Sequence, residues 1–419
     1  MRSYIRQGQN CEAIQLRQQK YISLTICLFI ALPTVIHFFN ICFNFIFSQF
    51  IWDTIVIYGI VMIFSVISIF FVLQNLRTDN VILGYLFSIV YLFSFIFFTD
   101  NRIHMFTLFS DLLRNPFYIL FLFSMPLYFY MRAIINYQLL FSFLSITAKI
   151  TVIGGLIIFY LSITKGGFEI QYMQFSYNLL FGTCFCFYDY FKERKLSSLL
   201  FAIFGAMIIF IAGARGPVVC IGSYILLYII FNSIKYKART LSIAAFFVVI
   251  LTYISSNFYT IAVNLNVYLM GLGLHSRTIE KILQNTALDL SGRDVIQVKL
   301  IKYILENPFL GQGMFGDRVI TQQLLGRSSY AHNFFIEVLT QYGSILGLIV
   351  ICAVLFIILR GLLMQQDPLH KNLILLFIPS GLTKLMISGS YLQEMYFFLL
   401  LGAAVNAIMH MKENQIRLD

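Results

Sequence analysis

Charge is what this sequence has least of. Asp, Glu, Lys and Arg together make up 11% of its 419 residues, against a hydrophobic share of 59%. That imbalance excludes a water-soluble globule, because one core could not bury so much apolar surface. Tryptophan is almost missing, with one residue beside 45 Phe and 25 Tyr, so aromatic anchoring at a membrane interface falls to tyrosine. Cysteine is sparse as well. The seven Cys lie mostly inside apolar segments, and Cys184-Phe185-Cys186 lacks metal-knuckle spacing, so neither a zinc site nor a disulfide framework is expected. No paired-acid signature, HExxH motif or Cys/His cluster is present, and the expected chemistry is metal-independent and needs no cofactor. A cleavable leader is not expected either. The polar start from Met1 to Lys20 runs into an apolar stretch too long for a signal peptide, without a small-residue cleavage site.

What fills the chain instead is a succession of apolar runs of bilayer-crossing length, about twelve of them. They lie near 21–39, 54–73, 81–98, 116–134, 139–162, 174–191, 195–212, 217–234, 240–257, 343–362, 370–387 and 391–409. The expected fold is therefore an all-α polytopic membrane protein. The net charge of +11 does not point to nucleic acid, because most of the basic residues sit in short connections, where they act as topology signals. Arg2, Arg6, Arg17 and Lys20, then Arg77, Arg132, Lys192, Arg194 and Lys195, then Lys235, Lys237 and Arg239, fall on one side. Arg360, Lys371, Lys412 and Arg417 continue the pattern, which predicts cytoplasmic N- and C-termini. Residues 1–257 then form an N-terminal region of about nine spans, 258–331 a large outer loop, and 332–419 a C-terminal region of about three spans.

Two lysines fall inside spans, Lys149 in mid-span and Lys384 near an outer end. An intramembrane charge marks either a functional site or a pairing with a neighbouring helix, and Lys384 can also snorkel to the interface. The one long polar interval runs from Asn257 to Ala331. Within it, Ser291 to Asp294 reads as a variant capping box opening an amphipathic helix through Glu306, stopped by Asn307-Pro308. Such a helix either lies on the membrane surface or packs on the spans.

Several residues of this outer face suit chemistry on a phosphorylated substrate. Gly311-Gln312-Gly313-Met314-Phe315-Gly316 has the spacing of a dinucleotide fingerprint, but no strand precedes it and no βαβ unit surrounds it. It reads as a turn, ordinary or with amides turned to a phosphate. Arg215, in Gly213-Ala214-Arg215-Gly216-Pro217, is either an interfacial arginine between helix ends or a forked anion donor. Arg293, at a helix start, is either solvated or a pyrophosphate ligand. His332, at the junction of the loop with a span, is the histidine placed to take a proton from an attacking hydroxyl. The other five histidines, including His104, have no comparable setting in the sequence.

In three pieces the chain resembles the bacterial O-antigen polymerase and O-antigen ligase superfamily. They are Gly213 to Pro217, Ser291-Gly292-Arg293 followed by Asn307 to Gly313, and His332-Asn333 with Glu337 and Gly343. The resemblance implies a GT-C-like helical membrane fold in the bacterial inner membrane, with the large loop periplasmic and containing amphipathic helices. It implies an inverting, metal-independent glycosyltransferase whose donor is a glycan on undecaprenyl pyrophosphate. In that reading Arg215 and Arg293 bind the pyrophosphate and His332 activates the acceptor hydroxyl. Asn333, Glu337, Lys384 and Arg318 would support the site. Membrane lipid and a chain-length regulator protein are the implied partners. A minimal chain with one large outer loop favours a polymerase of lipid-linked repeat units over a ligase acting on lipid A core. A lipid-linked oligosaccharide flippase is the alternative from another class, and the absence of hydropathy symmetry between the halves argues against it.

Overall fold

The computed structural model describes residues 2–47, 78–105, 119–164, 172–212, 215–232, 258–271, 292–363 and 367–416, together with the single positions 63, 66 and 283. The regular structure among them is entirely helical. In chain order it comprises α1 (Arg2–Phe47), α2 (Thr78–Phe97), α3 (Arg102–Met105), α4 (Met125–Arg132), α5 (Tyr137–Thr164), α6 (Tyr172–Glu193), α7 (Leu196–Ile211) and α8 (Arg215–Asn232). It continues with α9 (Phe258–Gly271), α10 (Arg293–Glu306), α11 (Gly316–Leu325), α12 (Phe334–Leu363), α13 (Pro368–Ile378), α14 (Lys384–Ile387) and α15 (Met395–Ile416). Two π-helical stretches, Ile119–Ser124 and Pro379–Thr383, lead into α4 and α14.

Four helical segments among the described residues are long and apolar enough to cross a bilayer: Ile14–Phe39, Tyr137–Leu161, Arg215–Asn232 and Phe334–Leu363. The pair Tyr85–Phe97 and Thr99–Met105, bent by 107°, makes a fifth if counted as one broken span. The expected span near 240–257 lies outside the described residues, as does that near 54–73 apart from positions 63 and 66. The apolar helices Ile119–Arg132, Leu196–Ile211 and Met395–Met409 are shorter than a full crossing. Large apolar side chains are exposed along α12, among them Ile345, Leu346, Leu348 and Ile349. A wall of that kind needs lipid, and the protein is a membrane protein.

The chain divides into two compact units. One comprises Ala31–Ser48 and Ser145–Ser291. Its helices approach through small residues. A Cβ on Gly205 would fall 2.3 Å from Thr183 Oγ1, and one on Gly155 would fall 2.3 Å from a Leu179 methyl. Close backbone approach is how helices associate where no water drives them together. Lys149 lies in this unit, with its ammonium 3.8 Å from the Asp189 carboxylate, which also accepts from Ser145 at 2.5 Å. The mid-span lysine is thus paired with a neighbouring helix, the structural member of its two readings.

The other unit comprises Met1–Ile30, Gln49–Leu144 and Gly292–Asp419. Here α15 is the packing hub. Asn406 donates to the carbonyls of Met131 and Ile134 at the end of α4, at 3.1 and 2.8 Å, satisfying groups a helix end leaves open. Gly402 lies against Tyr128 and Met131, and Gly361 of α12 against Ala404, where a Cβ would meet backbone at 2.8 and 2.9 Å. The helix expected to begin near residue 343 begins at Phe334 and runs through a break at Gly343, whose φ of 77° only glycine adopts freely. Its first turns carry the site.

Candidate functional site

Breaking α12 at Gly343 releases backbone groups that need partners, and the glycine cluster supplies them. The amides of Gln312 and Gly313 donate to the carbonyls of Thr340 and Gln341 at 3.0 and 2.9 Å, and the Ser344 amide donates to Pro308 O at 2.8 Å. A Cβ on Gly311 would sit 2.2 Å from Gln341 O, and one on Gly343 2.7 Å from Phe309 O. The glycines at 311 and 343 thus let two backbones cross in contact. The amides of Gln312 and Gly313 are consumed by this crossing, so they are not a phosphate cradle. From the other side, Asn101 donates to Gln312 O and Met314 O at 2.6 and 3.0 Å, and Ser94 accepts from the Met314 amide at 3.0 Å.

Beyond the crossing, Phe315 takes a left-handed conformation with φ 64°, and α11 begins with the buried Asp317 and Arg318. Arg318 Nη1 lies 3.2 Å from Asp317 Oδ1 and 3.8 Å from Glu337 Oε1, with its guanidinium stacked 4.6 Å from the Phe315 ring centroid. Asp317 also accepts from the Ala331 amide at 3.1 Å and from Gln341 Nε2 at 3.0 Å. Glu337 accepts from the Ser390 hydroxyl and the Tyr391 amide, while the Tyr391 hydroxyl donates to Gln341 Oε1 at 2.7 Å. Arg318 and Glu337 are therefore buried and joined to each other. Their role is to fix the base of the site, because charges out of water persist only when paired and hydrogen-bonded. Sequence reasoning missed Asp317, Ser390 and Tyr391, which carry no local signal. Gln341 stands one helical turn after Glu337, and that spacing was a usable one.

His332 stands above this network in a strained left-handed conformation, φ 55°. Such strain in a non-glycine residue persists only where its surroundings hold it, and it gathers at functional sites. Its ring lies 4.0 Å from that of Tyr330, and Nε2 is 3.4 Å from Ser329 Oγ. The buried Nδ1 has no hydrogen-bond partner among the described residues. Burial, then the positive charges of Arg293, Arg318 and Arg327, pull the imidazole from its ordinary value near 6.5 down to about 4. At neutral pH the ring is uncharged, with a lone pair to offer.

The other expected site residues divide by role. Asn333 is the side-chain cap of α12, accepting from the amides of Phe335 and Ile336 at 3.0 and 3.4 Å. Lys384 is ion-paired with Glu394, which makes it part of the fold's internal electrostatics. Arg293 opens α10 as expected, and Gly292 is its N-cap, left-handed at φ 78°, with no side-chain cap. Ser291, on which the expected capping box rests, lies outside the described residues. Arg293 Nη1 donates to Ile387 O at 2.9 Å, which anchors the guanidinium at the end of α14. Arg327 approaches Gly292 and adds a cation that sequence reasoning did not single out. Arg215 opens α8, in the other unit, while Gly213 and Ala214 lie outside the described residues. His104 has a setting after all: its Nδ1 is 3.4 Å from Ser328 Oγ, on the loop that ends at His332. Among the described residues, no group of three or more His, Cys, Asp or Glu could hold a metal ion.

The arrangement joins an uncharged imidazole to a field of guanidinium groups beside the first turns of α12 in a helical membrane protein. No curated protein and no solved structure matches the chain. Residues 199–352 match the family model described as O-antigen ligase, a stretch that holds Arg215, Arg293, Arg318, Arg327 and His332. Over that stretch the chain is similar to the O-antigen ligase family, the superfamily that its three motifs resemble.

Proposed function

We propose that the protein is an inverting glycosyltransferase that polymerises undecaprenyl-pyrophosphate-linked oligosaccharide repeat units into O-antigen or capsular polysaccharide. In this reading it lies in the inner membrane with about twelve spans, both termini in the cytoplasm and the loop 258–331 in the periplasm. The observation that carries the reading is the neutral His332 imidazole held in the field of Arg293, Arg318 and Arg327.

The chemistry follows from that field. The acceptor hydroxyl attacks the anomeric carbon of the donor glycan from the face opposite the pyrophosphate. As the new C–O bond forms, the bond from that carbon to the pyrophosphate oxygen breaks. Its electron pair leaves with undecaprenyl pyrophosphate, and the hydroxyl proton passes to the imidazole lone pair of His332. Arg293 and Arg327 stabilise charge that builds on the leaving pyrophosphate. Bound pyrophosphate also offsets the cations that hold the imidazole acidic. Donor binding thus raises the basicity of His332 when a base is needed.

The second reading is O-antigen ligase, transferring the glycan to lipid A core, and the description of the matched family model favours it. Deleting the gene in its host and resolving the surface glycolipid on a gel separates the two. Core bearing a single repeat unit is the result expected for a polymerase. Bare core with long polymer left on undecaprenyl pyrophosphate identifies a ligase and overturns the polymerase reading.

A further inference from the structure

Helix α10 has two apolar faces, and only one is used inside the protein. Ile296 and Leu300 turn inward against Ile320 and Ala331. Val298 and Leu305 turn outward, 64% and 74% exposed, and beyond the helix end Phe309 and Leu310 are 74% and 81% exposed. Ile301 lies on the same outward side. An outward patch of this size on a soluble surface would be an aggregation hazard, so it marks an interaction surface.

Its position says what covers it. The bond from the Ser344 amide to Pro308 O, and the contact of Phe309 O with Gly343, fix Phe309-Leu310 at the break in α12. The exposed apolar wall of α12 begins at that level, with Ile345 and Leu346. The patch is therefore continuous with a surface of membrane-spanning length and composition. Lys299 and Lys302 are exposed on the same helix, with Glu306 ion-paired to Lys302, so its polar side keeps one cation in excess toward anionic headgroups.

We propose that α10 and Phe309-Leu310 form an interfacial membrane anchor, with Val298, Ile301, Leu305, Phe309 and Leu310 inserted at the acyl-chain boundary of the bilayer that α12 crosses. The anchor has a consequence that rests on the function proposed above. Arg293 heads the same helix, and Ala331, on its inner face, precedes His332. The bilayer thus sets the height at which both meet the headgroup of a lipid-linked donor.

The test uses the full-length protein in phosphatidylethanolamine–phosphatidylglycerol vesicles with brominated acyl chains. In a Trp52→Phe background, Leu310→Trp and Leu305→Trp report insertion, and Gln323→Trp on the exposed side of α11 serves as reference. Bromolipid is expected to quench the first two several-fold more than the third. Equal quenching at all three positions overturns the anchor. Phe309→Glu with Leu310→Glu should raise KM for a polyprenyl-linked donor about tenfold and leave KM for a short-chain, detergent-free donor unchanged. An equal rise for both donors shows damage to the site itself and overturns the anchor's role in donor presentation. If the wild type transfers nothing from either donor, the proposed function fails while the quenching result still decides the anchor.

Discussion

Each unit of the protein carries charge out of water, and they treat it differently. In the unit around α6, one cation meets one anion: Lys149 and Asp189, with Ser145 completing the carboxylate's needs. In the unit around α12, Asp317 and Glu337 hold Arg318 in a closed base. Above it, Arg293 and Arg327 join the field that acts on a histidine whose Nδ1 has no partner among the described residues. A charge pair that closes on itself stabilises a crossing. In the proposed reading, a gathering of one sign beside an uncharged imidazole receives the anionic pyrophosphate. The difference separates structure from function more cleanly than the presence of charge does.

The largest effect expected from breaking this contrast is at His332. His332→Ala should lower transfer about 10²- to 10⁴-fold, the range of a lost general base, in protein that still inserts and folds. His332→Asn, which tolerates the left-handed backbone but supplies no base, should be equally inactive, and activity in it would sink the assignment. The wild-type pH profile gives a second readout. Transfer needs the neutral ring, so kcat/KM should fall on the acid side only near the free-site value of about 4. The acid limb of kcat should lie at higher pH, because the bound pyrophosphate offsets the guanidinium charges. Stability carries the same sign. The folded value lies below the ordinary 6.5, so the folded state binds fewer protons between the two. This contribution is complete above about 6.5 and is lost as pH falls toward about 4.

Asp317→Ala tests the closed base. It strips Arg318 of one carboxylate, orphans Ala331 N and leaves the Gln341 amide only its 3.4 Å bond to Glu337, at an expected cost of about 3 kcal/mol in thermal unfolding. A loss below about 0.5 kcal/mol, the size of an ordinary surface substitution, would show the network to be dispensable. Arg293→Lys keeps the charge and loses the fork, and should raise the donor KM about tenfold with kcat less affected. An unchanged KM would leave Arg293 as the anchor of Ile387 alone. The smallest effect is expected from the double change Lys149→Met with Asp189→Leu. Replacing this partly buried ion pair by apolar residues of similar size should shift stability by no more than about 1 kcal/mol and leave transfer untouched. Abolished transfer there would erase the contrast between the units.

The apolar runs and the helix from Arg293 to Glu306 were legible in the chain by itself, and the structure brings Arg293 near enough to His332 to act on its charge. Hydropathy and capping act over one to a few turns, so their signals are contiguous in sequence. At Gly311 to Gly316 the context showed a turn in spite of the dinucleotide spacing, but not what the turn serves. The amides of Gln312 and Gly313 bind a helix break about thirty residues away, and no local pattern records that partner. Tertiary structure alone decided which charges are spent. Arg318, Glu337 and Lys384 looked available until packing placed Asp317, Ser390 and Glu394 against them. It also gave His104 a neighbour 224 positions along the chain, in Ser328. Sequence thus determined that this is a helical membrane protein with a cationic, histidine-bearing loop. Only the fold separated charges closed into buried pairs from those that bear on His332, because pairing is a matter of distance in space and not of spacing along the chain.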